Sequence, residues 1–135
     1  MKRMLCIISV IFYILFTACG NNQNTEQKGE KEMYQQITAE EAKKIIDSGV
    51  DFVILDVREQ DEFDEGHIPG AILIPYTEIG DKADEMLPDK DGQILVYCRS
   101  GRRSKIAAES LAELGYTNIK EFGGIIDWPY DVVIE

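Results

Sequence analysis

The chain has 135 residues, with 25 Asp or Glu against 14 Lys or Arg, a formal charge of −11 and an apolar fraction of 44%. That length excludes more than one ordinary domain beyond its terminal extensions, and it is enough for a single core. So acidic a surface argues against nucleic acid and anionic lipid headgroups as partners.

Residues 1–18 read as an export segment and not as part of the fold. Lys2 and Arg3 give a positive start, and residues 4–18 are an uncharged, mostly apolar run. The run is short of the roughly 20 residues a membrane span needs and suits a signal-peptide core. It ends at Leu15-Phe16-Thr17-Ala18-Cys19, which resembles a bacterial lipobox with Phe16 where Leu is usual. The expectation is cleavage before Cys19 and lipid on its thiol, giving an exported domain held at a bacterial membrane by acyl chains. An ordinary signal peptide or an uncleaved anchor would export the domain as well. Cleavage removes Cys6 and lipid occupies Cys19, so Cys98 is left as the free thiol and the mature chain can form no internal disulfide. Loss of Lys2 and Arg3 takes the charge from −11 to −13. Residues 19–32 continue as Cys19 and GNNQNTEQKGEKE, without an apolar residue after the cysteine, and read as a flexible tether.

The folded domain is expected over residues 33–135. Residues 34–37 fit a short first strand. Thr38-Ala39-Glu40-Glu41 is a capping box that opens a helix burying Ala42, Ile45 and Ile46 and ending at Gly49. Residues 52–57 (FVILDV) form a near-continuous apolar run, the pattern of a strand covered on both faces. Residues 58–65 are charged, a short helix or turn whose acids read as a solvated face. A loop over 66–71 is punctuated by Gly66, Pro69 and Gly70. Another short strand covers 71–74, and 76–87 is weakly helical with Ile79, Ala83, Met86 and Leu87 as its apolar side. After a turn at 88–92, residues 94–97 read as a buried strand that ends on Cys98. Beyond the Cys98 loop, Ile106, Ala107, Ser110, Leu111 and Leu114 line one face of a helix stopped by Gly115. A last strand covers 118–122, and 123–130 is a turn or short helix around Trp128. Strands alternate with helices throughout. The fold class is therefore α/β, three layers with a mainly parallel sheet of about five strands and helices on both faces.

Cys98-Arg99-Ser100-Gly101-Arg102-Arg103 carries the chemistry. The thiol stands at the carboxyl edge of a sheet and faces the amino end of a helix. There the amides of a tight loop form an anion-binding nest, and the helix dipole adds partial positive charge. The dipole alone is worth about 0.3–1 kcal/mol, so activation needs the loop amides and the guanidinium groups too. Together they favour the thiolate and make Cys98 the nucleophile. Arg99, next to the cysteine, must lie on the loop, whereas Arg103 can instead point outward from the first helical turn. Arg58 is a candidate for substrate binding, with an ion pair to Asp56 as the structural alternative. His67 has neither a partner histidine nor a second thiol with which to hold a metal, and reads as a hydrogen-bonded loop residue. No cofactor is implied.

Three separated stretches make the chain resemble the single-domain rhodaneses. Leu55-Asp56-Val57-Arg58, with Glu62-Phe63 and Gly66-His67-Ile68-Pro69-Gly70-Ala71, is similar to that family's amino-terminal signature. Residues 98–104 are similar to its active-site loop, and Gly123-Gly124 followed by Trp128 to its carboxyl-terminal signature. The resemblance implies a rhodanese-like fold and a sulfurtransferase in which Cys98 takes a sulfane sulfur from a small donor such as thiosulfate. As a persulfide it would pass that sulfur to cyanide or a thiol, and an exported protein could be the acceptor. It implies that Arg99, Ser100, Gly101, Arg102 and Arg103 supply the cradle. Thiosulfate-preferring relatives often carry Lys or Arg two positions after the cysteine, where this chain has Ser100.

Two other functions compete. A cysteine phosphatase or arsenate reductase also uses a thiolate in a nest, but needs an arginine at the sixth position after the cysteine, where Ser104 stands. A non-catalytic rhodanese-like binding module would use the same fold to present a surface to a partner. A thioredoxin-like redox role lacks its resolving cysteine.

Overall fold

Five strands and four helices alternate along residues 32–135, the part of the chain described by the computed structural model. The signal segment, Cys19 and the tether through residue 31 lie outside the described residues. The elements in order are β1 (Gln35–Gln36), α1 (Ala39–Asp47), β2 (Val53–Asp56), α2 (Gln60–Glu65), β3 (Ile72–Leu73), α3 (Ile79–Met86), β4 (Ile94–Cys98), α4 (Arg102–Glu113) and β5 (Ile119–Gly124). A single 3-10 turn precedes α3 at Tyr76–Glu78, and another follows β5 at Ile125–Asp127.

All strand pairs are parallel, in the order β1-β5-β4-β2-β3. From β2 the chain moves toward β3, and from β4 it moves the other way, to β5. The carboxyl ends of β2 and β4 are therefore neighbours whose onward connections diverge, which opens a crevice between them. Right-handed crossovers put connections of opposite sense on opposite faces. Accordingly α3 and α4 cover one face and α1 the other. Alternation along β4 divides the core: Ile94, Val96 and Cys98 point toward α3 and α4, with Leu55, Val57, Ala107 and Leu111. Leu95 and Tyr97 point toward α1, with Ala42, Phe122 and Trp128.

Local signals place most of these elements. The capping box is made: the Glu41 amide donates to Thr38 Oγ1 at 3.1 Å and the Thr38 amide to Glu41 Oε2 at 2.8 Å. α1 then buries Ala42 and rests Ile45 and Ile46, half-buried, against the Tyr97 side of the core. Two helix faces differ from the sequence expectation. In α4 the inward residues are Ser104, Ala107, Ala108 and Leu111, spaced i, i+3, i+4 and i+7, while Ile106 is exposed. The stripe starts with a serine, so hydrophobicity alone sets it one position off. In α3, Ile79 and Ala83 face the core, Leu87 follows beneath them, and Met86 is exposed. β5 also runs two residues past the expected end, because Gly124 pairs with Cys98. The tail is tied down by Val133, which forms an antiparallel bridge with His67.

Candidate active site

Cys98 closes β4 at the centre of the sheet, and α4 begins four residues later. Gly101 turns the chain between them at φ 106°, the left-handed region that a side chain would disfavour. Its amide thereby points back and donates to Cys98 Sγ at 3.0 Å. The other side of the loop is held by β5. The amide of Ile126 donates to the Arg99 carbonyl at 3.2 Å. A Cβ added at Gly124 would lie 2.0 Å from the Arg99 carbonyl oxygen and 2.5 Å from the Ser100 nitrogen. Only glycine allows that approach, so Gly124 sets where the loop sits. Trp128 packs with Phe122 and Tyr130 on the α1 face, one layer behind.

The thiol environment contains opposing effects. Burial pushes Cys98 up, since the residue is 1% exposed. The Ser104 hydroxyl and the amides of Ser104, Gly101 and Ser100 outweigh it, and the net shift is downward. The amide nest is therefore present as the sequence implied. The sulfur itself lies beneath its own loop, closed to solvent.

None of the guanidinium groups donates to the sulfur, and Arg103 takes the outward alternative. Arg103 is taken by Glu62 of α2 in a bidentate pair, Nη1 to Oε2 at 2.6 Å and Nη2 to Oε1 at 2.8 Å. That hydrogen bond holds Glu62 down at about 2 and raises Arg103, whose charge still acts on Cys98 through space. Arg102 is exposed and lies 6.0 Å from the Tyr76 ring centre. Arg99 and Ser100 are exposed at the loop tip. Arg58 is buried and forks onto Asp56, Nε at 3.0 Å and Nη2 at 2.7 Å, while Nη2 also donates to the Gly66 carbonyl. It is thus built into the structure, and it also lines an open groove with Arg99, Ile126, Trp128 and Tyr130. His67 is the hydrogen-bonded loop residue expected, with Nδ1 2.9 Å from the Phe63 carbonyl and its ring stacked on Phe63.

Two residues at the site were not singled out from sequence. Ser104 Oγ stands 3.4 Å from Cys98 Sγ and donates to Glu121 Oε1 at 2.6 Å. Both are buried, at 0% and 3% exposure. The signal was available: Glu121 lies two residues from Ile119 on β5 and so faces the α4 side with it, an acid at an inward position. Ser104 begins the inward stripe of α4.

The family model for the rhodanese-like domain matches residues 38–129. The chain belongs to that family. Thiosulfate sulfurtransferase PspE of Escherichia coli is 40% identical over 73 residues, covering 54% of this chain and 70% of that protein. Thiosulfate sulfurtransferase GlpE of Coxiella burnetii is 34% identical over 97 residues, covering 71% of this chain and 88% of that one. Among solved structures, a rhodanese-related protein from Thermoplasma volcanium has a TM-score of 0.64 at 35% identity, covering 76% of this chain and all of that one. A structure described as a rhodanese with anions, from E. coli, has a TM-score of 0.59 at 36% identity, covering 62% of this chain and 99% of that one. The rhodanese-like fold is thus established, and general sulfurtransferase activity has support from these relatives.

Proposed function

We infer that this domain is a sulfurtransferase that carries a sulfane sulfur on Cys98, from thiosulfate or a persulfide donor to a thiol or cyanide. The observation that carries the reading is the Gly101 amide 3.0 Å from Sγ, on a loop whose other amides also lower the thiol. A nest of N–H groups steadies charge on sulfur while a bond forms there, without proton chemistry. With thiosulfate, Cys98 Sγ as thiolate attacks the sulfane sulfur, and the S–S bond to the sulfonate breaks with its electron pair leaving as sulfite. The charges balance: a thiolate and a dianion give a persulfide anion and a dianion. An acceptor thiolate or cyanide then attacks the outer sulfur and Cys98 is released as a thiolate. The exposed Arg99 and Arg102 stand beside the loop, where they can draw in an anionic donor. Gly101 and Ser100 supply backbone amides to the sulfur, and Arg103 acts on it as charge through space.

The domain would do this outside the cytoplasm, tied to a membrane by lipid on Cys19, with an exported protein as one kind of acceptor. The lipobox-like run before Cys19 and the polar tether support that placement. Replacing Cys19 by Ala should move the protein from the detergent phase to the aqueous phase; partition unchanged by the substitution overturns the anchor.

The decisive test is a panel of sulfur donors with mass spectrometry of the peptide that contains Cys98. A gain of one sulfur on that residue, reversed by cyanide or a thiol, is the expected result. An unmodified thiol with every donor favours the binding module, the reading to which the burial of Cys98 gives weight.

A further inference from the structure

Ser104 has more acceptors around its hydroxyl than it has protons. Within 3.4 Å of Oγ lie Glu121 Oε1 at 2.6 Å, the Gly101 carbonyl at 3.0 Å, the Gly123 carbonyl at 3.3 Å and Cys98 Sγ at 3.4 Å. A serine hydroxyl donates one hydrogen and can accept others. The carbonyls never carry a proton, so only the thiol and the carboxyl group can donate to it. Two arrangements follow. In the first, Cys98 S–H donates to Ser104 Oγ and Ser104 O–H donates to the Glu121 carboxylate. In the second, a protonated Glu121 donates to Ser104 Oγ and Ser104 O–H donates to the Cys98 thiolate. Each end has its own amide: Gly123 N–H on Glu121 Oε1 at 2.8 Å, and Gly101 N–H on Sγ at 3.0 Å.

We propose that Glu121 is a positioning residue that stores the Cys98 proton, reached through the Ser104 hydroxyl. The inference rests on Cys98 being the sulfur carrier. The S–H bond of Cys98 breaks, leaving its electron pair on sulfur, and an O–H bond forms at Ser104 Oγ. The hydrogen Ser104 held passes to Glu121 Oε1, and nothing is oxidised or reduced. One negative charge is present before and after, and only its place changes, from carboxylate to sulfur. No second charge has to be buried, which would be costly beneath a closed loop. Nor does a thiol that is 1% exposed have to find a base in solvent.

Other charged groups face these residues. Arg103 of α4 faces Sγ, held by Glu62 with Glu59 nearby. Tyr34, ahead of β1, faces Glu121 and is raised by burial and by Glu109 and Glu121. Lys120 lies on the other side of β5, bonded to Asn118. All persist in the variants below, so they set the position of a pH profile and leave its shape alone.

The test is the rate at which iodoacetamide alkylates Cys98 in the full chain, followed by mass spectrometry across pH. The reactive second arrangement holds as many protons as the resting first one. The wild-type rate should therefore fall with pH and then level to a floor. Glu121→Gln and Ser104→Ala should have no floor, falling about tenfold per pH unit throughout. Near pH 5.5 both should label at least about tenfold more slowly than wild type. Near pH 9 Glu121→Gln should label within about twofold of wild type. Ser104→Ala, which also loses the hydroxyl that lowers the thiol, should lag there. Either variant that keeps a wild-type melting curve suffices. A wild type without a floor, variants that retain it, or a folded protein whose Cys98 is unlabelled at every pH overturns the proposal. No sulfur donor is used. A chain with the floor that takes up no sulfur overturns only the sulfurtransferase reading, and a chain that takes up sulfur without the floor overturns only the relay.

Discussion

On one face of β4, Tyr97 joins Asp56 and Arg58; on the other, Cys98 joins Ser104 and Glu121. Both clusters are buried and polar, yet their hydrogen counts differ. Asp56 accepts from the Arg58 amide, from Arg58 Nε and Nη2 and from the Tyr97 hydroxyl, and that hydroxyl accepts from the Ile68 amide. The donors there are enough for the acceptors, which fixes β2, β4 and the loop after α2 against one another. Around Ser104 the acceptors outnumber the hydrogens, so one hydrogen has a choice. A saturated network makes structure, and an under-supplied one leaves a proton free to move. The residue types alone do not tell the two apart, since each has an acid, a hydroxyl and a third ionisable group.

The comparison can be broken from either side. The largest effect belongs to Cys98→Ser, which should abolish sulfur transfer while shifting the melting temperature by less than about 4 °C, the size of a change under ~1 kcal/mol. Transfer that survives the substitution puts the nucleophile elsewhere. On the saturated side, Asp56→Ala strands a buried guanidinium and should cost about 3–5 kcal/mol in urea denaturation. Cys98 in the fraction that stays folded should still load with sulfur. A stable Asp56→Ala protein would mean that Arg58 finds water or another partner.

Gly124→Ala tests the contact that sets the loop. Its new Cβ cannot share space with the Arg99 carbonyl, so the loop must shift, costing about 1–3 kcal/mol. Sulfur loading should fall more than stability does, because the Gly101 amide moves with the loop. Equal loading in the variant and the wild type would show that the amide position is not critical. The smallest effect is that of the Glu62–Arg103 pair, which is partly exposed and worth under about 1 kcal/mol. Arg103 holds Glu62 down at about 2, from a usual 4.5. A depressed carboxyl stabilises in full above its unfolded value, so this contribution is present above about pH 4.5 and is lost as pH falls from 4.5 toward 2. In Glu62→Gln, the urea midpoint should lose less across that window than it does in the wild type.

Much of the fold was legible because its signals are local. The box at Thr38 and Glu41, the apolar runs of β2 and β4 and the glycine-rich turn after Cys98 each act within a few residues. The faces of α3 and α4 departed from the expectation where an inward serine or an exposed Met86 or Ile106 broke the apolar stripe. The partners of the loop arginines were not legible for a different reason. Charge near a cysteine in sequence says nothing of which carboxylate will reach it first, and Glu62 lies 41 residues from Arg103.

Sequence by itself determined the alternation of strands and helices, the parallel sheet that follows from it, and the placing of one thiol at a strand end before a helix. Each follows from periodicity and turn chemistry over short stretches. Tertiary structure decided which groups meet that thiol. It brought Glu121 to Ser104 across 17 residues, drew Arg103 away to α2 and pressed Gly124 against the loop. Hydrogen bonds are made over about 3 Å, and no local pattern specifies a distance that small between elements so far apart along the chain.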